Sequence, residues 1–321
     1  MTFDVVIANA ILHPDILMYP PKGHKITLTR VLFAPAMEIR TGAGAYAGLT
    51  MSRLGLRCCY VDKLGSDMFG RFTRDELEHY GLDMRHVNFY PGSSSFCVSI
   101  VQNGEGGTII CYLPPERLSI SFNEMSSMFR KAPDGKIIYM FTWFWSWLFP
   151  KLKGTPTHKI IRHAKKRGFS IVLDVNYKPK ENPSKCEIRE LKKSLKYVDV
   201  LLPNLRDAEI IIGRKPLAET AHSLLQLGPK IVGLKASDKG SYFASKEESG
   251  YIPPFKVRVL DTTGAGDIFG GAFTYGWLKG WKPKKIATFA NAASAFGISH
   301  EEKNKYPTLR QIQEFLRKAK R

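Results

Sequence analysis

Cysteine is scarce and unpatterned in this 321-residue chain: Cys58, Cys59, Cys97, Cys111 and Cys186 are all it has. The count is odd and there is no CxxC pair, which argues against a disulfide framework and against a thiolate metal site. Cys58 and Cys59 sit in the run LRCCYV, where at least one reads as a small buried hydrophobe. The eight histidines form no HExxH, and His158 and His163 stand five apart, a poor helical spacing for shared ligation. No structural metal is assigned. Long apolar runs are missing too. The longest aromatic stretch, FTWFWSWLF at residues 141–149, is far short of the roughly 20 residues a membrane helix needs. The N-terminus, MTFDVVIANAIL, has no basic n-region and carries Asp4, which argues against a secretory signal and for a soluble, cytoplasmic chain. No Pro/Ser-rich linker, charge block or internal repeat divides the sequence, so one domain over residues 1–321 is expected.

Acidic residues are the other shortage. Lys plus Arg is 48 and Asp plus Glu is 29, a net charge of +19. Such a field attracts nucleic acid, anionic membrane or anionic small molecules. The basic residues are dispersed, however, at 165–167, at Lys192, Lys193 and Lys196, at Lys282, Lys284 and Lys285, and at 317–321. Each group falls on or beside a helical pattern. Solvated helix faces explain that distribution better than a nucleic-acid surface does. Attraction for small anionic substrates is what remains.

What is abundant is alternation. Apolar strand-like runs lie at residues 5–8, 58–61, 137–141, 171–173, 198–202, 231–234 and 257–260. Helical patterns lie at 43–54, 69–80, 157–167, 187–197, 217–227, 283–296 and 308–318. Strands alternating with helices predict an α/β fold with a mostly parallel sheet covered on both faces, and such folds bind ligands at the carboxyl ends of their strands. Residues 20–40 and 96–112 break the pattern with β-type stretches and no helix between them. The second reads as a hairpin around residues 103–107.

The most informative tract is Asp261-Thr-Thr-Gly-Ala-Gly-Asp267, between the run KVRVL and the helical pattern IFGGAFTYGWLKG, which places Ile268, Ala272 and Tyr275 or Gly276 on one face. A glycine turn opening a helix leaves N–H groups unpaired at the positive end of the helix dipole, which is an anion site. Asp267 adds a carboxylate at the same point. Donors for phosphoryl charge beside a base for a hydroxyl proton suit phosphoryl transfer to an alcohol. An N-capped helix after a plain glycine turn would need only GxGD, and the full string is far more specific.

DTTGAGDIFGGAF resembles the C-terminal signature of the ribokinase/PfkB carbohydrate-kinase family. TGAGAYAGLTMSRLG at residues 41–55 resembles its N-terminal glycine-rich segment. KLGSDMFG with YGLDMRHV, Asp174-Val-Asn176 and Pro203-Asn204-Leu-Arg-Asp207 resemble further blocks, in the family's order, over nearly the whole chain. The resemblance implies a ribokinase-like three-layer α/β/α fold with a small β lid contributed by segments approximately 15–40 and 92–114. It implies an ATP- and Mg2+-dependent kinase acting on a hydroxyl of a small sugar, sugar acid or polyol. A nucleoside kinase and a sugar-phosphate kinase of the same fold are the nearest alternatives. A basic, non-catalytic binding protein is a third, which the intact DTTGAGD string argues against.

By the same resemblance Asp267 is the base, and Gly264, Ala265 and Gly266 supply the anion hole from their backbone N–H groups. Asp15, Gly42, Ala43, Gly44 and Tyr46 fall on the sugar side, although Tyr46 stands where the family often has an asparagine and Thr41 where it often has a glycine. The residues themselves also allow Asp15 to be a turn residue after His13-Pro14. Asn204, Lys235, Gly240 and Asn291 fall on the nucleotide side; Ser237 replaces a frequent glycine, and Asn291 could equally be a helix side chain capping a nearby loop. Asp207 matches the acid that organises Mg2+ through water, with Glu209 a weaker candidate and a dipole-stabilised first-turn acid the plainer reading. Asp261 and Thr263 match ligands of a monovalent cation, K+ in many relatives, completed by the loop near residues 297–306. Trp143, Trp145 and Trp147 could stack on a sugar or a base, but packing aromatics are the simpler reading. Lid sheets of the family often pair between subunits, so a homodimer is expected.

Overall fold

The computed structural model describes residues 2–8, 11–19, 33–100, 109–118, 120–141, 156–176, 183–301 and 304–319. The strands in chain order are β1 (Phe3–Ala8), β2 (Pro14–Tyr19), β3 (Ala36–Thr41), β4 (Cys58–Val61), β5 (Lys63–Gly65), β6 (Asn88–Tyr90), β7 (Phe96–Ile100), β8 (Ile109–Tyr112), β9 (Gly135–Phe141), β10 (Ser170–Asp174), β11 (Val200–Leu202), β12 (Ile231–Lys235), β13 (Ser241–Ser245) and β14 (Ser249–Ile252). The helices are α1 (Tyr46–Arg53), α2 (Met68–His79), α3 (Pro115–Leu118), α4 (Phe122–Lys131), α5 (His158–Lys166), α6 (Lys185–Leu195), α7 (Leu205–Ile212), α8 (Leu217–Leu225), α9 (Ala265–Leu278), α10 (Pro283–Ile298) and α11 (Leu309–Lys318).

The main sheet has the order β14-β13-β12-β11-β10-β9-β1-β4. It is parallel from β4 to β12 and closes with the antiparallel strands β13 and β14. Consecutive residues of β1, β9 and β10 are buried, which requires cover on both faces of the sheet. One helical group, α1, α9 and α10, packs together; α4 to α8 pack in succession as the other. Reciprocal capping boxes start three of the helices: Ser184 with Glu187 on α6, Asn204 with Asp207 on α7, and Thr308 with Gln311 on α11.

A second sheet, β3-β2-β7-β8, takes β3, β7 and β8 from the two segments that broke the alternation and adds β2, which precedes the first of them. Asp15 lies in β2 opposite Arg40 of β3, so it is a strand residue and not part of a turn. β7 and β8 form the expected antiparallel pair, while the hairpin tip at 103–107 and most of residues 20–40 lie outside the described residues.

Several expectations are corrected. Residues 257–260 form no strand. Val259 and Leu260 are exposed, and the Leu260 N–H donates to Ile298 O (2.8 Å), so the segment docks on the end of α10 while the hairpin β13–β14 takes the sheet edge. Asp267 to Gly276 of α9 are all buried, so that helix has no single apolar face; it is enclosed by the sheet, α1 and α10. Cys97 and Cys111 stand directly opposite in β7 and β8 and form a disulfide, a non-local pairing that the cysteine spacing does not display. Cys58 and Cys59 are buried, and burial pushes both thiols up, Cys59 to about 12.

Glycine lets α9 approach the sheet. A Cβ on Gly270 would collide with the Tyr139 hydroxyl and lie 2.8 Å from Asp174 Oδ2. Gly270→Ala should gain up to about 1 kcal/mol in helix propensity and lose about 1–3 kcal/mol to overpacking. The expected outcome is net destabilisation in urea unfolding; an unchanged or more stable variant would contradict this seat for α9.

Candidate active site

The turn before α9 is left-handed at Gly264, with φ +76°. A side chain there would be strained, and its Cβ would also lie 2.7 Å from the Tyr46 ring. Ala265 N–H donates to Thr262 O (3.2 Å). The N–H groups of Gly264 and Gly266 have no backbone partner among the described residues. Of the three donors expected from the sequence, Ala265 has a backbone acceptor in this structure, and Gly264 and Gly266 have none among the described residues. Asp267 follows at the third helical position, buried, with its own N–H donating to Gly264 O (3.0 Å).

Lys235 lies against this turn from the sheet side: a Cβ on Gly266 would stand 3.6 Å from its Nζ. The ammonium donates to Asp174 Oδ1 at 2.6 Å, and the Tyr139 hydroxyl donates to Asp174 Oδ2 at 2.6 Å. Burial raises the pKa of Asp174, against the opposing pull of Lys235 and Tyr139. Burial likewise works against a charged Lys235, but Asp174, with smaller contributions from Asp267 and Asp207, holds its pKa above the ordinary value. Burial, followed by the Asp174 and Asp267 carboxylates, pushes the Tyr139 phenol well up, so it serves as a donor. The sequence gives Lys235 a role but does not mark Asp174 and Tyr139 as its partners. The D-V-N block is a signal for the first; the second has none.

On the other side of the turn, Tyr46 is 1% exposed and stacks on Tyr306 at 6.1 Å. Its hydroxyl donates to Asp15 Oδ2 (3.2 Å), while His13 Nε2 lies 3.4 Å from Asp15 Oδ1. Gly42 N–H donates to His13 O (2.7 Å), and a Cβ on Gly42 would be 2.6 Å from Asp15 Oδ1. Gly44 has φ +90°, and its carbonyl accepts the Tyr60 hydroxyl at 3.0 Å. Ala43 is half-buried beside them. Tyr46 thus joins the two halves of the candidate site, with its hydroxyl on Asp15 and its ring on Gly264. His13, Asp15 and Cys97 also bring potential ligand atoms within 4.8 Å of one another, but the Cys97 sulfur is committed to the disulfide.

The nucleotide-side residues divide. Asn204 follows β11 and bridges to Lys235, whose N–H donates to Pro203 O (2.8 Å). Asn204 Oδ1 accepts the Asp207 N–H (2.8 Å), and Asp207 Oδ2 accepts the Asn204 N–H (3.2 Å). Asp207 is fully buried and Glu209 is exposed. Gly240, at φ +80°, turns β12 into β13, and any side chain there would strike Ile252 O. Ser237 holds φ +54°, a conformation that suits the glycine it replaces. Asn291 Nδ2 donates to Ile252 O and Pro253 O, both at 3.2 Å, so its amide ties down the loop after β14. Trp143, Trp145, Trp147 and Glu302-Lys303 lie outside the described residues.

Asp261 is gripped from three directions. Its Oδ2 accepts from Lys305 Nζ (2.6 Å) and Arg40 Nη1 (3.2 Å), and its Oδ1 accepts from Thr263 N–H (2.8 Å). Burial opposes ionisation, yet the bonds from Lys305 and Thr263 hold the carboxyl well below the usual carboxylate range.

Comparison with known proteins fits this architecture. Residues 40–308 match the sequence pattern described as pfkB family carbohydrate kinase. The chain belongs to the pfkB family of carbohydrate kinases. A 5-dehydro-2-deoxygluconokinase of Clostridium botulinum (strain Eklund 17B / Type B) is 25% identical over 294 residues, covering 87% of this chain and 84% of the relative. A deoxyribokinase of Salmonella typhi is 25% identical over 293 residues, covering 89% and 90%. Arabidopsis thaliana ribokinase, solved with ribose and ATP, superposes with a TM-score of 0.75 at 20% identity, covering 98% of this chain and 99% of that one. A protein described as ribokinase II from E. coli, solved with ATP and Mg2+, superposes with a TM-score of 0.80 at 20% identity, covering 99% and 100%. The ribokinase-like fold expected from the sequence is therefore the fold of this pfkB kinase, and it is a carbohydrate kinase.

The buried pair under the turn is testable. Lys235→Met would leave Asp174 buried without its cation, a change that typically costs about 3–5 kcal/mol. A carboxyl whose folded pKa is raised contributes stability at low pH and loses it as pH rises through the folded value. The variant's deficit in urea unfolding should therefore be largest near neutral pH and shrink as pH falls towards the ordinary carboxyl range. A deficit independent of pH would contradict the assignment.

Proposed function

We propose that this kinase transfers the terminal phosphoryl group of ATP, with Mg2+, to a hydroxyl of a small sugar, sugar acid or polyol. The observation that carries the reading is Asp267, buried in the first turn of α9 beside the N–H groups of Gly264 and Gly266, with Tyr46 linking that turn to Asp15. In this mechanism Asp15 and the loop Gly42–Ala43–Gly44 orient the acceptor. Asp267 takes the proton of the attacking hydroxyl. The N–H groups of Gly264 and Gly266, the positive end of α9 and the Lys235 ammonium face the charge that develops on the transferred phosphoryl group.

The relatives solved with ATP support the choice of donor, and one of them also contains Mg2+. In this chain a carboxylate suits a hard cation; Asp207 is fully buried with Oδ2 accepting the Asn204 N–H, so it would reach Mg2+ only through water admitted as the nucleotide site fills. Bound there, the ion would neutralise phosphate charge. Asn204 and Gly240 shape the nucleotide side, and Asn291 holds its wall through the loop after β14. The four-stranded sheet acts as the lid, excluding water from the transfer. The net charge of +19 favours an anionic acceptor, and a sugar acid agrees with the name of the 5-dehydro-2-deoxygluconokinase relative.

The same sheet presents Met37, Ile39, Ile110 and Tyr112 to solvent, an apolar face suited to pairing with a second copy as a homodimer. Ile39→Lys should move the protein towards the monomer in sedimentation velocity; an unchanged distribution would argue against that interface.

The catalytic reading is tested by ADP release across a panel of sugars, sugar acids, polyols, sugar phosphates and nucleosides. One acceptor class should stand out. Asp267→Asn should lower kcat on it by on the order of 10²–10⁴ while remaining folded. A folded variant with wild-type turnover would sink the assignment of the base.

A further inference from the structure

The resemblance to relatives that use potassium implies a monovalent cation held by Asp261, Thr263 and the loop at residues 297–306, and the described residues there do not fit one. Lys305 belongs to that loop. It is 0% exposed and is among the largest fully buried side chains of the described residues. Its Nζ lies 2.6 Å from Asp261 Oδ2, and the Arg40 guanidinium reaches the same oxygen at 3.2 Å. Two cations therefore meet one carboxylate before any ion arrives. A further cation against Asp261 would be repelled by both, although the carboxylate itself is only partly buried.

Three segments converge at this point. Leu260 and Asp261 donate their N–H groups to Ile298 O, at 2.8 and 3.3 Å, fixing the approach to the anion turn against the end of α10. Lys305 packs on the same end, because a Cβ on Gly297 would lie 3.2 Å from Lys305 O and 3.7 Å from its Cγ. Thr263 N–H, one residue before Gly264, is held by Asp261 Oδ1. The cation on Asp261 is thus two short links from the Gly264 turn. We propose that the Lys305 ammonium is a built-in monovalent cation, which fixes Asp261 and the anion turn and makes this kinase independent of K+. An ammonium suits that role because it is compact, singly charged and strongly donating, and because the chain delivers it without an ion-binding step. Lys305 is a positioning residue in this account, acting on the turn through Asp261.

Occupancy and function are read separately, because the functional half of the inference rests on the kinase reading and the occupancy half does not. Crystals of the wild type soaked in Rb+ should show no anomalous peak beside Asp261, and its melting midpoint should be the same in KCl as in choline chloride at equal ionic strength. In Lys305→Gln the vacated space should admit Rb+, and K+ but not choline should raise the midpoint. Once an acceptor is known, wild-type kcat should be indifferent to K+. Lys305→Gln should lose at least about tenfold and recover part of it with K+. A Rb+ peak at Asp261 in the wild type, or a wild-type midpoint raised by K+, would overturn the proposal. So would a folded Lys305→Gln that ignores K+ in both peak and midpoint. If that variant does not fold, the wild-type soak and melt still decide. Absence of kinase activity in every salt would count against the catalytic reading alone.

Discussion

The start of α9 is wedged between an aromatic ring and an ammonium, and the candidate site depends on that wedge. Tyr46 presses on Gly264 from one side, so closely that a Cβ would stand 2.7 Å away. Lys235 lies under Gly266 from the other, its charge held by buried Asp174. At Gly264 only a residue without a side chain fits, whereas a Cβ on Gly266 would make ordinary contact with Lys235. The left-handed turn at Gly264 then aims its N–H groups outward at the positive end of a helix. Asp267 inherits its position from the same geometry, since it is fixed by the first turn of a helix enclosed on all sides.

Cations stand on two sides of this turn. Lys235 stands on the sheet side, and Lys305 with Arg40 on the side of α10. Each cation is tied to a carboxylate, Asp174 or Asp261, which sets its place. A buried pair such as Lys235–Asp174 adds little net stability compared with apolar packing, but it is costly to break and it fixes geometry. In the proposed reaction, phosphoryl charge would develop beside the fixed Lys235 ammonium and the N–H groups of the turn, without waiting for solvent or side chains to reorganise.

Much of this was legible in the sequence, for physical reasons. Parallel strands covered on both faces must be apolar throughout, so β1, β4, β9, β10 and β12 read as short apolar runs, and the helices between them kept their period. The glycine turn was legible because few structures need D-T-T-G-A-G-D together. The failures have causes as well. Residues 257–260 alternate like a strand, but the sheet edge is already taken by β13 and β14, whose mixed sequences SYFAS and SGYI carry no clear period. The Cys97–Cys111 pair depends on hairpin register, not on cysteine spacing. Lys305 sits in the polar stretch EEKNKYP and looks like surface until three segments close over it. Asn291 lies on a helix, as its pattern indicates, and its amide serves the loop after β14, a partner that sequence spacing does not reveal.

The central claim is that the Gly264–Gly266 turn receives the phosphoryl group. A crystal structure with Mg2+ and a non-hydrolysable ATP analogue tests it most directly. The account predicts terminal-phosphate oxygens at about 3 Å from the Gly264 and Gly266 nitrogens, with Lys235 Nζ and Asp267 at the same end of the nucleotide. An ordered triphosphate held elsewhere, with those N–H groups facing only solvent, would contradict it.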